Sequence, residues 1–177
     1  ARGRYDIIAA DPVATVTTRG EFQHVLARGA GPQTSTRAPL ELVRERLGEL
    51  ADPVADLPFR GGALGYFAYD LGRRYERLPS IAVADIAMPE LAVGIYDWAV
   101  VVDRERGRAM LASLGRDTRT AERWPVLVRR LNAAAPRLER APFRVLSRPQ
   151  SNFTRAEYAR AFDRVQRHIR GGDCYQV

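Results

Sequence analysis

Residues 58–76, PFRGGALGYFAYDLGRRYE, gather the residue types from which a binding site is most readily built. Gly61, Gly62 and Gly65 stand beside Phe59, Tyr66, Phe67 and Tyr69, with arginines close by. A glycine cluster can cradle a phosphate with its backbone N–H groups, and aromatics near arginines can stack on bases. The same residues can also make a strand whose backbone lies close to a neighbour. The spacing favours the strand. A P-loop sets four residues between its glycines and follows them with Gly-Lys-Ser/Thr, whereas this stretch reads Gly-Gly-x-x-Gly and the chain has no lysine. No G-x-G-x-x-G opens a helix either. By alternation Ala63, Gly65, Phe67 and Tyr69 share one face and Leu64, Tyr66 and Ala68 the other. Both faces are largely apolar, which predicts a strand buried between layers.

The remaining reactive side chains are dispersed. His24 and His168 have no cysteine or carboxylate at ligand spacing, which speaks against a zinc site, and His168 falls near a helix end where a partly positive ring suits the dipole. Cys174 has no visible base partner and reads as a core position of a final strand. Asp70 with Arg73 and Arg74 reads as an ion-pair cluster at a strand end. Tyr96, Asp97 and Trp98 read as sheet packing. No self-contained active site emerges.

Around these residues the chain predicts an α/β or α+β arrangement. YDIIAADPVATVTTRG reads as two short strands around Asp11-Pro12, and GAGPQTST as a polar loop. APLELVRERLGEL places Leu40, Val43, Leu47 and Leu50 at helical spacing, with Pro39 in the first turn. LAVGIYDWAVVVD is rich in β-branched and aromatic residues, and RAMLASL can pair back on it after the RERG loop. A shorter helix is predicted over 121–131, a strand at PFRVLS, and a helix after Thr154. Thr154 and Glu157 there form a T-x-x-E capping box, Phe153 and Tyr158 stand where a hydrophobic staple belongs, and Tyr158, Ala161, Phe162, Val165 and Ile169 form one stripe before Gly171-Gly172. DCYQV resembles the opening of another strand, so the chain reads as a fragment of a longer protein.

The bulk numbers narrow the class. A chain of 177 residues with 46% hydrophobic residues can fold around a core. No apolar run is long enough to span a bilayer, and the N-terminus lacks the apolar stretch of a signal peptide. One cysteine suits a reducing cytoplasm. The net charge of +7 suggests nucleic acid, yet all 28 basic residues are arginine, spread from Arg2 to Arg170 and interleaved with acids. A nucleic-acid footprint would cluster, so neither nucleic acid nor a membrane is an expected partner.

Three of these stretches together, PFRGGALGYFAYDLGRRYE, MPELAVGIYDWAVVVD and SNFTRAEYARAFDRVQRHIRGGDCYQV, resemble the large subunits of chorismate-utilising enzymes in order and at sensible distances. LPFRGGALG, YDLGRRYE and GIYDWAVVVD are nearer to the aminodeoxychorismate-forming branch than to the anthranilate-forming one. The resemblance implies an α+β fold of packed β-sheets with outer helices. Residues 1–147 would form an N-terminal domain like that of anthranilate synthase component I, and residues 148–177 the start of the chorismate-binding domain. It also implies that the whole enzyme aminates chorismate to aminodeoxychorismate for folate synthesis, with Mg2+ on the substrate carboxylates and ammonia from a glutamine amidotransferase subunit. The branch's nucleophilic lysine cannot lie in a chain without lysine, so no catalytic residue is carried over and the chain alone is expected to be inactive. Relatives in the anthranilate branch hold tryptophan in their N-terminal domain, and one wall of that pocket maps onto Arg4 and Tyr5. An anthranilate synthase fragment and a stand-alone amino-acid-binding module are the competing readings.

Overall fold

The computed structural model describes residues 3–49, 51–81, 83, 85–133 and 141–177. The chain divides into two compact units, Ala1–Ala134 and Ala135–Val177.

The first unit holds two antiparallel sheets. In order along the chain come β1 (Tyr5–Ile8), β2 (Ala14–Arg19), β3 (Phe22–Ala27), β4 (Gln33–Ser35), α1 (Pro39–Leu47), β5 (Gly62–Phe67), a 3-10 turn (Tyr69–Arg74), β6 (Leu91–Tyr96), β7 (Trp98–Asp103), β8 (Arg108–Ser113) and α2 (Thr118–Asn132). The larger sheet runs β4-β3-β2-β6-β5 and the smaller β1-β7-β8. The expected hairpin is β7–β8, from Trp98 opposite Ser113 to Asp103 opposite Arg108. The run LAVGIYDWAVVVD, read as one strand, divides at Asp97: β6 pairs with β2 and β5 in one sheet, and β7 with β1 and β8 in the other. The buried Asp97 carboxylate at that point takes its donors from Ser113 of β8 and from the Arg116 backbone N–H.

One face of the larger sheet carries the core. Ala14, Val16, Val25, Leu91, Val93 and Ile95 are buried there with Leu42 and Val43 of α1 and with Leu71. Each aliphatic side chain so buried contributes on the order of 2 kcal/mol of transfer free energy. Two polar residues share the site: Thr18 and Gln23 are both 0% exposed and stand directly opposite each other across β2 and β3.

Several expectations change. The inner face of α1 is Pro39, Leu42 and Val43, with Leu47 packed at its edge, while Leu40 is 36% exposed. The spacing of 3 and 4 from Pro39 onward outweighs the run from Leu40, and Leu50, the last member of that run, lies outside the described residues. GAGPQTST contains β4, because the edge of β3 offers it a ladder. α2 begins three residues earlier than the sequence predicts, at Thr118.

The glycine stretch is an edge strand, and it is not sandwiched between layers: along β5 only Gly62 is buried, and Leu64, Tyr66 and Phe67 are 39%, 37% and 58% exposed. The last strand of a sheet has a ladder on one side only, and α1 reaches its beginning. The role given to the glycines does hold. A Cβ on Gly65 would fall against the Ala92 carbonyl oxygen and 2.7 Å from Val93 Cα, and one on Gly61 would lie 2.6 Å from the Tyr96 carbonyl oxygen. The glycines let β5 lie close against β6.

The second unit carries α3 (Arg155–Gly171), which starts as its sequence dictates. The Thr154 N–H donates to Glu157 Oε2 at 2.8 Å, and the Glu157 N–H donates to Thr154 Oγ1 at 3.3 Å. Gly172 closes the helix in the left-handed conformation at φ 81°. His168 Nδ1 lies 2.7 Å from Asp173 Oδ2 beyond the last turn. No residue of α3 is buried, and its stripe residues Tyr158 and Phe162 are 64% and 51% exposed. Neither PFRVLS nor DCYQV forms a strand, and Cys174 is half-buried outside any ladder. Within this unit no described strand offers either segment an edge to pair with.

Candidate functional site

The candidate site is a cavity of about 500 Å³ in the first unit, where the ends of α1 and β6 meet the start of α2. Helical spacing brings its first charged wall. Arg46 stands seven residues after Pro39 on the inner stripe of α1, so its stem is drawn toward the sheet and its head to the cavity rim beside Leu47. Val13, Ile95 and Leu114 supply further apolar wall.

Asp97, at the crossing between the two sheets, is 4% exposed. Its carboxylate accepts from Ser113 Oγ at 3.1 Å and from the Arg116 backbone N–H at 2.9 Å. That contact fixes the turn into α2 and sends the Arg116 side chain back over α1, where Nη1 donates to the Leu47 carbonyl at 3.1 Å and Nη2 to that of Glu49. Arg28 pairs with Asp117 and donates to the carbonyls of Asp11 at 2.7 Å and Pro12 at 3.3 Å. Thr120 Oγ1 donates to the same Asp117 carboxylate at 3.1 Å. Both acids of the cavity are therefore committed to internal partners. The Arg119 side chain, also on the wall, makes no hydrogen bond or ion pair among the described residues. With its two carboxylates engaged and arginines on its wall, the lining can receive an anion.

Arg4 and Tyr5, singled out by the resemblance, lie elsewhere, at the start of β1. The Arg4 guanidinium stacks 4.8 Å above the Tyr5 ring. It donates to Asp103 from Nε at 3.1 Å and from Nη2 at 2.8 Å, and it lies 3.2 Å from Glu105 and 3.7 Å from Asp56. The bond from Arg4 is the largest cause holding the Asp103 carboxyl down at about 2, helped by the backbone N–H groups of Arg106 and Glu105. Asp103 in turn raises Arg4 above its ordinary value. Of the other residues considered from sequence, Asp70 pairs with Arg73 at 3.1 Å, whereas Arg74 turns to Glu90 at 3.6 Å. Tyr96 borders the cavity together with Asp97. His24 lies exposed on β3. The cavity arginines escaped the sequence reading. The one available signal was Arg46 at an inward position of α1.

Among the described residues no group of three or more His, Cys, Asp or Glu could hold a metal ion, and no helix is long and apolar enough to cross a membrane.

The chain is 44% identical over 177 residues to aminodeoxychorismate synthase component 1 of Salmonella typhimurium, covering 98% of this chain and 37% of that protein. The corresponding Escherichia coli protein is 42% identical over 178 residues, again with 98% and 37% covered. Anthranilate synthase component 1 of Thermus thermophilus is 39% identical over 151 residues, covering 83% of this chain and 32% of the relative. The chain thus spans well under half the length of the curated relatives it matches. Among solved structures, anthranilate synthase component I from Streptococcus pneumoniae superposes with a TM-score of 0.73 at 22% identity, covering 98% of this chain and 40% of that one, and so shares the mixed α and β fold. The family model of chorismate binding enzymes matches residues 1–177, and the chain belongs to that family.

Proposed function

We propose that this chain is the N-terminal portion of the large subunit of an aminodeoxychorismate synthase, which aminates chorismate with ammonia delivered by a glutamine amidotransferase subunit. The observation that carries the reading is the 42–44% identity to aminodeoxychorismate synthase component 1 across 98–100% of this chain. In this reading the residues in hand are scaffold. They supply two sheets, a crossing strand and an edge strand set close by glycines, and the chemistry belongs to the rest of the intact protein. Mg2+ belongs to the same proposal. Among the described residues no group of three or more His, Cys, Asp or Glu gathers, and the ligands of Mg2+ are assigned to the rest of the intact protein. A cytoplasmic setting accords with a single, unpaired cysteine.

The deciding experiment supplies the intact protein with chorismate, Mg2+ and ammonium and identifies the product by mass and absorbance. Aminodeoxychorismate is expected. Anthranilate would move the protein to the other branch, and unconsumed chorismate would sink both readings.

Arg4 and Tyr5 are proposed, on the resemblance alone, to help hold tryptophan. Asp103 occupies Nε and Nη2 of Arg4, so Nη1 and the stacked ring are what such a ligand would meet. Calorimetric titration with tryptophan, repeated on Arg4→Gln, tests this: binding that the substitution leaves unchanged would remove Arg4 from the site.

A further inference from the structure

We propose that the arginine-lined cavity between α1, β6 and α2 binds a small organic carboxylate with an apolar body. The site is separate from Arg4 and Tyr5 and does not rest on the chorismate reading. Charge comes first. Arg28, Arg46, Arg116 and Arg119 line the cavity against two acids, Asp97 and Asp117. Asp97 is consumed by Ser113 Oγ and the Arg116 N–H, and Asp117 by Arg28 and Thr120. The carbonyl partners of Arg116 satisfy its N–H groups without cancelling its charge. Glu45, the acid closest to Arg46, lies 3.9 Å from it and is held mainly by Arg37 at 2.8 Å. Arg119 is unpaired among the described residues. The cavity therefore carries an excess of positive charge that its own side chains leave unanswered.

Shape and wall chemistry define the class of ligand. A volume of about 500 Å³ lies within the range of small-molecule pockets and far exceeds what a bare inorganic ion fills. Val13, Leu47, Ile95 and Leu114 form apolar walls that an inorganic anion would leave unused. A guanidinium offers paired donors that match a carboxylate. One end of the ligand is thus anionic, facing Arg46 and Arg119, and its body is apolar, resting between Ile95 and Leu114.

Calorimetric titration of the intact protein with cyclohexanecarboxylate, neutral cyclohexylmethanol and inorganic phosphate tests the proposal. Saturable binding of the carboxylate is expected, at least tenfold tighter than either comparison compound. Arg119→Gln and Arg46→Gln should each weaken it about tenfold, the loss of one charge-assisted contact, and their thermal melts report that the fold is kept. Phosphate or the alcohol binding as tightly as the carboxylate would overturn the proposal, as would no saturable binding at all. Should a variant fail to fold, the ranking of the three probes on the unaltered protein still decides. Carboxylate binding abolished by Arg4→Gln and untouched by Arg119→Gln would place the site at β1 and overturn it too.

Discussion

Arg4 grips Asp103 through two parallel bonds, Nε to Oδ1 at 3.1 Å and Nη2 to Oδ2 at 2.8 Å, joining residues 99 positions apart. The pair ties the strand that opens the smaller sheet to the turn after β7. Asp103 is 0% exposed and also accepts the Glu105 and Arg106 backbone N–H groups at 3.1 and 3.2 Å, so one carboxylate both pairs β1 and shapes the hairpin. Its folded value of about 2 lies below the value of about 4 expected in an unfolded chain. A carboxyl depressed by folding contributes stability that is complete above the unfolded value and is lost as pH falls through the folded one. Urea unfolding from neutral pH downward should show a loss between about pH 4 and pH 2. Asp103→Asn should start less stable at neutral pH and lose less across that window. A variant whose acid limb is as steep as that of the unaltered protein would show that other carboxyls carry it.

Gly65→Ala should destabilise the larger sheet by about 3 kcal/mol, the upper range for overpacking, because the new methyl group meets backbone and not a side chain that can swing away. The Ala92 carbonyl and Val93 Cα belong to the central part of β6 and cannot retreat without breaking its pairing with β2. Gly31→Ala is the matched control. A Cβ there meets nothing within 4 Å, and a change within about 0.5 kcal/mol is expected. Equal urea midpoints for the two variants would refute the close-approach account of the glycine cluster.

Those glycines also mark the limit of what the sequence discloses. Their spacing ruled out phosphate binding and pointed to close backbone approach, because those are local properties. Whether β5 is central or at an edge depends on which strands arrive beside it, and both its faces read as apolar. β3 was missed for a related reason. Its outward residues are Phe22 and Leu26, 50% and 54% exposed, while its fully buried inner residue is Gln23. Alternation is present but with its polarity partly inverted, so the pattern of a half-buried strand does not register. The capping box of α3 was fully legible because both partners lie within one turn. The cavity was not, since its four arginines come from three separate segments of the chain and only the fold assembles them.

Gln23 leads to a third prediction. Neither its amide nor the Thr18 hydroxyl has a hydrogen-bond partner among the described residues, though both side chains are fully buried and directly opposed. A buried polar group without a partner costs about 1–3 kcal/mol, and exchanging both groups for apolar ones of similar shape can be neutral or stabilising. Thr18→Val combined with Gln23→Leu should hold stability or raise it by about 1 kcal/mol. A clear loss in the double variant would indicate a trapped water bridging the two groups.

Pro125 sits in the interior of α2, seven residues after its first position. It has no N–H to give the Ala121 carbonyl, and its ring crowds that same carbonyl. The helix persists because Leu127 buries its side chain, at 7% exposure, and Thr120 is 5% exposed beside the Asp117 carboxylate it bonds. Packing at those two points offsets an interior residue that the helix alone would reject. Pro125 itself is exposed, so an alanine there loses no core contact and restores the missing donor. Pro125→Ala should therefore raise stability by about 1 kcal/mol, less than the roughly 3 kcal/mol separating the two residues in free helices, because the folded helix has already accommodated the ring. Helical ellipticity should rise with it. A fall in stability instead would mean that the course proline imposes on α2 is what brings Leu127 and Thr120 to their buried positions together.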